Sequence, residues 1–170
     1  YRPEKSVWNL YLLAQLPREM ALTFWLRINE KKHLFAGEDY FLSILGLDAL
    51  PGLLLAFSHR PKETFPLILN FGATELALPV AHVWRRFAAQ RDLARQWILQ
   101  WPEHTASALI PLVFTKPSDN SEAALLALRL LYEQGHGELL QTVANRWQRT
   151  DVWSALEQLL KQGPMDIYPA

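Results

Sequence analysis

Apolar residues recur every three or four positions along this 170-residue chain and almost nowhere alternate, a period that belongs to helices rather than strands. Leu125, Leu128, Leu131 and Tyr132 mark one such stripe. Leu139, Leu140, Val143 and Trp147 mark the next, and Trp153, Leu156, Leu159 and Leu160 the last. Val and Ile are scarce while Leu and Ala dominate, so residue preference points the same way as the period. The pattern predicts helices over 6–16, 18–32, 38–46, 48–58, 62–71, 75–88, 91–100, 103–115, 120–134, 138–148 and 151–162, and no strand.

Punctuation between the stripes agrees. Asp119 followed three residues later by Glu122 reads as a capping box, Gly135 stands where a left-handed C-terminal cap would end that helix, and Gly163-Pro164 closes the last one. The connections are a few residues long, so consecutive helices are expected to lie as antiparallel neighbours. Ala49-Leu50-Pro51, Ala77-Leu78-Pro79 and Ala108-Leu109-Ile110-Pro111 repeat a proline within or near the start of an apolar helix. Their spacing suits two-helix repeats, with Pro111 expected deep in its helix. The resulting expectation is an all-α chain of antiparallel helical hairpins, stacked as an irregular HEAT/armadillo-like array. A closed irregular bundle is the alternative. A single all-helical domain over 1–170 is expected, with N-terminal helices in 1–46 and repeat-like hairpins in 47–170.

Composition removes several chemistries. The chain has no Cys, which excludes disulfides, Cys-ligated zinc, a thiolate nucleophile and iron–sulfur clusters. Half its residues are hydrophobic and a fifth charged, too rich in core formers for a disordered segment. Seventeen basic residues balance seventeen acidic ones, unlike a generic polyanion binder. No signal peptide is apparent, and the most apolar stretch, Leu47 to Phe57, falls short of the roughly 20 residues that a bilayer crossing needs. The reading is therefore cytoplasmic, with no membrane partner. A start at Tyr1 suggests a piece of a longer protein.

No catalytic constellation emerges. His33, His59, His82, His104 and His136 never fall three or four residues apart, as a helical metal pair requires. Glu133 and His136 have the spacing of one half of a di-iron site, but Gly135 breaks the helix between them, which favours a capping histidine. Glu103, His104 and Ser107 could be assembled on paper into acid, base and nucleophile, yet read better as groups of a solvated helix start. Glu38 and Asp39 suit a helix N-terminus. Single glycines cannot build a phosphate loop. No enzyme, cofactor, metal or small-molecule substrate is predicted.

Charge is segregated along the chain. Residues 58–101 carry Arg60, Lys62, Arg85, Arg86, Arg91 and Arg95 against Glu63, Glu75 and Asp92, whereas 102–170 carry five basic and eight acidic groups. Arg85, Arg86, Arg91 and Arg95 stand near Trp84, Trp97 and Trp101, the mixture with which proteins hold single-stranded nucleic acid. A protein-facing patch and an ordinary solvated face explain the same residues. Val83, Phe87, Ala94, Ile98 and Trp101 form the expected buried stripe. Trp8, Trp25, Trp84, Trp97, Trp147 and Trp153 also fall on amphipathic helices, where core is the default for most. No helix is basic enough for membrane-surface binding.

Leu47-Asp48-Ala49-Leu50-Pro51-Gly52-Leu53-Leu54 and Phe71-Gly72-Ala73-Thr74-Glu75-Leu76-Ala77-Leu78-Pro79-Val80-Ala81 resemble the helical region of large bacterial proteins related to the molybdate metabolism regulator. The likeness continues through Ala94 to Glu103, Lys116-Pro117-Ser118, Glu122 to Leu131, Gly135-His136 and Met165 to Ala170. Many of those proteins carry a tryptophan-glycine-arginine domain elsewhere; this chain has no such triplet. The resemblance implies packing and capping patterns, not a catalytic signature. It points to an interaction scaffold that meets a protein partner or flanking domains of the same chain. The alternatives are a nucleic-acid-binding surface on Arg85, Arg86, Arg91 and Arg95, and a helical support for an active site elsewhere in a parent protein.

Overall fold

The computed structural model describes residues 8–30, 35–147 and 150–162, and these are overwhelmingly helical. The chain divides into two compact units, Tyr1–Phe71 and Gly72–Ala170. That boundary falls inside the stretch read from sequence as continuous hairpins.

In the first unit the order is β1 (Trp8–Asn9), α1 (Leu10–Leu13), α2 (Arg18–Asn29), β2 (Phe35–Ala36), α3 (Glu38–Leu45), a 3-10 turn (Gly46–Ala49), α4 (Leu50–His59) and α5 (Pro61–Ile68). The helix expected over 6–16 is cut to one turn, because Trp8 and Asn9 are extended and pair in parallel with Phe35 and Ala36. Asn9 then caps α1, its side chain accepting from the Tyr11 amide at 3.0 Å.

Trp25 organises this unit. It is buried against Phe41, ring centroids 5.1 Å apart, and its indole N–H donates to the Ala49 carbonyl at 2.9 Å. An indole can be buried only when its donor is met. Gly52 lets α4 pass: a Cβ there would sit 2.4 Å from the Trp25 ring. Buried Asn29 bonds the Trp25 carbonyl with its Nδ2, and its Oδ1 accepts from Arg60 at 3.2 Å.

Glu38–His59 is a 22-residue helical run whose apolar window reaches a mean hydropathy of 1.8, long and apolar enough by composition to cross a bilayer. The sequence reading, which measured only Leu47 to Phe57, missed it. Here the run is broken at Gly46, whose φ of +56° suits only glycine, and half of the window is buried in the protein. Its apolarity serves the core through Phe41, Leu42, Leu45, Leu53 and Phe57.

The second unit comprises α6 (Thr74–Arg86), a 3-10 turn (Ala88–Gln90), α7 (Arg91–Gln100), α8 (Pro102–Val113), α9 (Asp119–Glu133), α10 (Gly137–Asn145) and α11 (Thr150–Lys161). α6 packs on α7, α8 and α9, α8 on α9 and α10, and α11 on α9 and α10, while α7 also touches α9. Ala123, Ala124 and Ala127 are fully buried on α9, so small side chains admit close neighbours at the centre of this unit.

Prolines divide by role. Pro51, Pro61 and Pro102 open α4, α5 and α8, where the missing amide has no intrahelical partner. Pro66, Pro79 and Pro111 lie inside α5, α6 and α8, so Pro111 is as deep as expected.

Several sequence expectations shift. Phe87 is 49% exposed instead of buried, because α6 ends at Arg86 and Phe87 turns extended, leaving the helical period. Trp147 is 41% exposed for the same reason, lying beyond the end of α10. Trp97 is fully buried, Trp84 and Trp153 are half-buried, and half-buried Trp101 lies against Gly72, where a Cβ would meet its ring at 2.4 Å. The closure at Gly163-Pro164 and the likeness at Met165 to Ala170 lie outside the described residues.

Candidate functional site

The four arginines singled out by sequence arrive on two elements. α6 carries Arg85 and Arg86 in its last turn, where cations complement the helix dipole, and α7 begins with Arg91 and carries Arg95 one turn on. What surrounds them comes from α9. Arg85 bonds Asp119 and Glu122 at once, and Arg86 bonds Asp119. His82, one turn earlier on α6, places Nε2 2.8 Å from the Asn120 side-chain oxygen and Nδ1 3.4 Å from Asp119. The end of α6 and the start of α9 are thus joined by one polar node.

Asp119 is available for this because it is not the cap. Sequence reading paired Asp119 with Glu122 as a capping box; the structure moves the box one residue back. Ser118 is extended at φ −156°, its hydroxyl accepts from the Ser121 amide at 3.2 Å, and the Ser121 hydroxyl accepts from the Ser118 amide at 2.8 Å. A serine satisfies those amides as well as an aspartate, and its use frees both carboxylates of the first turn for the arginines. The Arg86 guanidinium, followed by Arg85, holds the Asp119 carboxyl below the usual carboxylate range.

Arg91 and Arg95 go elsewhere. The Arg91 Nε donates to the Trp84 carbonyl at 3.2 Å, and its guanidinium lies 5.8 Å from the centroid of the Trp84 ring. That is a C-terminal cap on α6 combined with a cation–π contact. The Arg95 Nη2 donates to the Gln134 side-chain oxygen at 2.9 Å, at the far end of α9 from Asp119. A helix of that length spans about 22 Å. The structure therefore unites Arg85 and Arg86 and holds Arg95 at the other end of α9.

Several of the remaining candidates have structural partners, and His33 lies outside the described residues. Glu103 is bonded by Arg146 at 2.6 Å, which lowers its carboxyl below the usual range, and His104 stands edge-on to Trp101 at 6.0 Å. Neither contact joins them to Ser107. His136 follows Gly135, which is left-handed at φ +89°; the amides of Gly135 and His136 bond back to Tyr132 and Leu131, the Schellman pattern that ends α9. Glu38 and Asp39 occupy the first turn of α3 as expected. Among the described residues no group of three or more His, Asp or Glu could hold a metal ion.

Sequence reasoning missed the α9 end of the node, although its signal was present in the opposite charges of the middle and the end of the chain. No protein-family model matches this chain, and no solved structure matches it.

Proposed function

We propose that this chain is a non-catalytic interaction scaffold, a helical-repeat segment of a large cytoplasmic bacterial protein that works by shape and surface. The observation that carries the reading is the packing of alternate helices in the second unit. α6 contacts α8 and α8 contacts α10, while α7 contacts α9 and α9 contacts α11. Successive hairpins α6–α7, α8–α9 and α10–α11 that touch in this way support growth in two layers of the kind HEAT and armadillo arrays use, with α6 also lying on α9. The likeness of 47–170 to the helical region of molybdate metabolism regulator-like proteins favours the same role, with a protein partner or flanking domains as the target.

The engagement of the arginines weighs against a nucleic-acid surface. A phosphate approaching Arg85 or Arg86 would have to displace Asp119 or Glu122 and would meet those carboxylates as it did so. Fluorescence anisotropy of labelled single- and double-stranded oligonucleotides tests this. The protein is expected to show no binding at low salt beyond that of an Arg85→Ala/Arg86→Ala/Arg91→Ala/Arg95→Ala variant. Binding that weakens steeply with salt and vanishes in the variant would establish the nucleic-acid reading instead.

A further inference from the structure

A groove of about 320 Å³ opens on the second unit where α6, α9 and α11 meet. Its walls are apolar, from Trp84, Leu126, Leu130 and Leu160, and it holds the charged side chains of Arg129 and Glu133. Arg129 is the unusual member. Its Nη2 donates to the Leu159 carbonyl at 3.0 Å, while its Nε is enclosed and meets no acceptor. No carboxylate pairs with it among the described residues. Glu133, one turn along α9, is exposed and leaves Arg129 unpaired, and Lys161 is already held by Glu157 at 2.8 Å. Every other arginine described in this unit has a carboxylate, an amide or an aromatic face, or a combination of these; Arg129 has one backbone carbonyl.

A half-buried guanidinium that lines the groove without a carboxylate of its own, set among apolar walls, favours a carboxylate that brings its own apolar surroundings. The groove lies at the lower limit of small-ligand cavities, which bury most of the molecules they hold, and it is open to solvent. It suits two or three side chains of a larger partner, whose remaining surface would rest on Leu126, itself 38% exposed. Tryptophan and arginine together are also the residues that most often anchor protein interfaces. We propose that this groove is the docking site of the scaffold for a peptide segment that presents one Asp or Glu flanked by apolar side chains, with Arg129 pairing the carboxylate and Trp84 and Leu126 receiving its neighbours. This rests on the scaffold reading and gives it a surface and a partner chemistry.

The test is selection of random peptides, roughly 12 residues long, displayed against the immobilised full chain, followed by affinity measurement on variants. Enriched peptides are expected to share one acidic residue beside an aliphatic or aromatic one. Arg129→Met is expected to weaken them at least about tenfold. Leu126→Asp, at a partly exposed position and with helicity and thermal midpoint checked against the parent, should weaken them similarly by repulsion. Glu133→Gln should tighten them a few-fold, because a competing carboxylate leaves the groove. Enriched peptides that lack an acidic residue, or that bind Arg129→Met and Leu126→Asp as well as the parent, would overturn the groove and leave the scaffold standing. A selection that yields no binder at all would likewise overturn the groove, and would leave the scaffold reading to be tested with folded flanking domains.

Discussion

Glu38 shows how much one position can be asked to reconcile. It sits in the first turn of α3, where a carboxylate complements the helix dipole, and it faces Arg60 across 3.5 Å. Both side chains are largely enclosed, and one Glu38 oxygen has no hydrogen-bond partner. Burial pushes its carboxyl above the usual value, outweighing the Arg60 charge that pulls it down. A carboxyl whose folded pKa is raised binds its proton more tightly when folded, so stability is lost as pH rises from the ordinary carboxylate value through the raised one. The thermal midpoint of the wild type relative to Glu38→Gln should therefore fall as pH rises through the ordinary carboxylate value and above it, with the two closest in acid. A gap that moved in the wild type's favour over that range would contradict the assignment. Sequence reading placed Glu38 at a helix start from its position. Its pairing with Arg60 was out of reach, because the two are brought together by the break at Gly46 and the turn into α5.

Each expected helical segment in the described residues contains an observed helix, since a stripe of apolar residues at helical period must be buried along one face wherever the helix ends up. The errors lie at the ends. Phe87 and Trp147 continue the apolar period but fall past the last helical residue, and backbone geometry there overrides the pattern. Trp8 and Asn9 were read as helix because nothing local reveals a partner at Phe35 and Ala36. The start of α9 was misplaced by one residue for a different reason: Ser118, Asp119 and Ser121 are all competent caps, and the choice depends on what α6 demands of Asp119. Removing the cap with Ser118→Ala should cost about 1 kcal/mol in urea unfolding followed by helicity, the usual worth of a side-chain N-cap. No change in midpoint would mean that Asp119 can take over the cap without loss.

Across the molecule the separation of charge along the chain resolves into contact. The positive excess of 58–101 and the negative excess of 102–170 leave three readings open in sequence: a solvated face, a protein-facing patch and a nucleic-acid surface. In the fold, part of each is the other's partner, because α9 returns its acidic first turn to the basic last turn of α6. The type and spacing of the arginines were legible; their occupancy was not, since it depends on a helix more than thirty residues away. The node is solvent-exposed, so it is expected to be sensitive to salt and to acid. Asp119 has a depressed carboxyl, and the stability it contributes is present above the ordinary carboxylate value and lost as pH falls through its lowered one.

The central claim is that these arginines are spent inside the protein, and a double-mutant cycle on Arg85→Ala and Asp119→Ala, measured by urea unfolding at low salt and neutral pH, tests it most directly. The account predicts that the double variant loses clearly less stability than the sum of the two single variants, and that this difference shrinks when salt is added. Single effects that simply add at low salt would mean that Arg85 and Asp119 do not depend on each other, and would return the arginines to the surface as free cations.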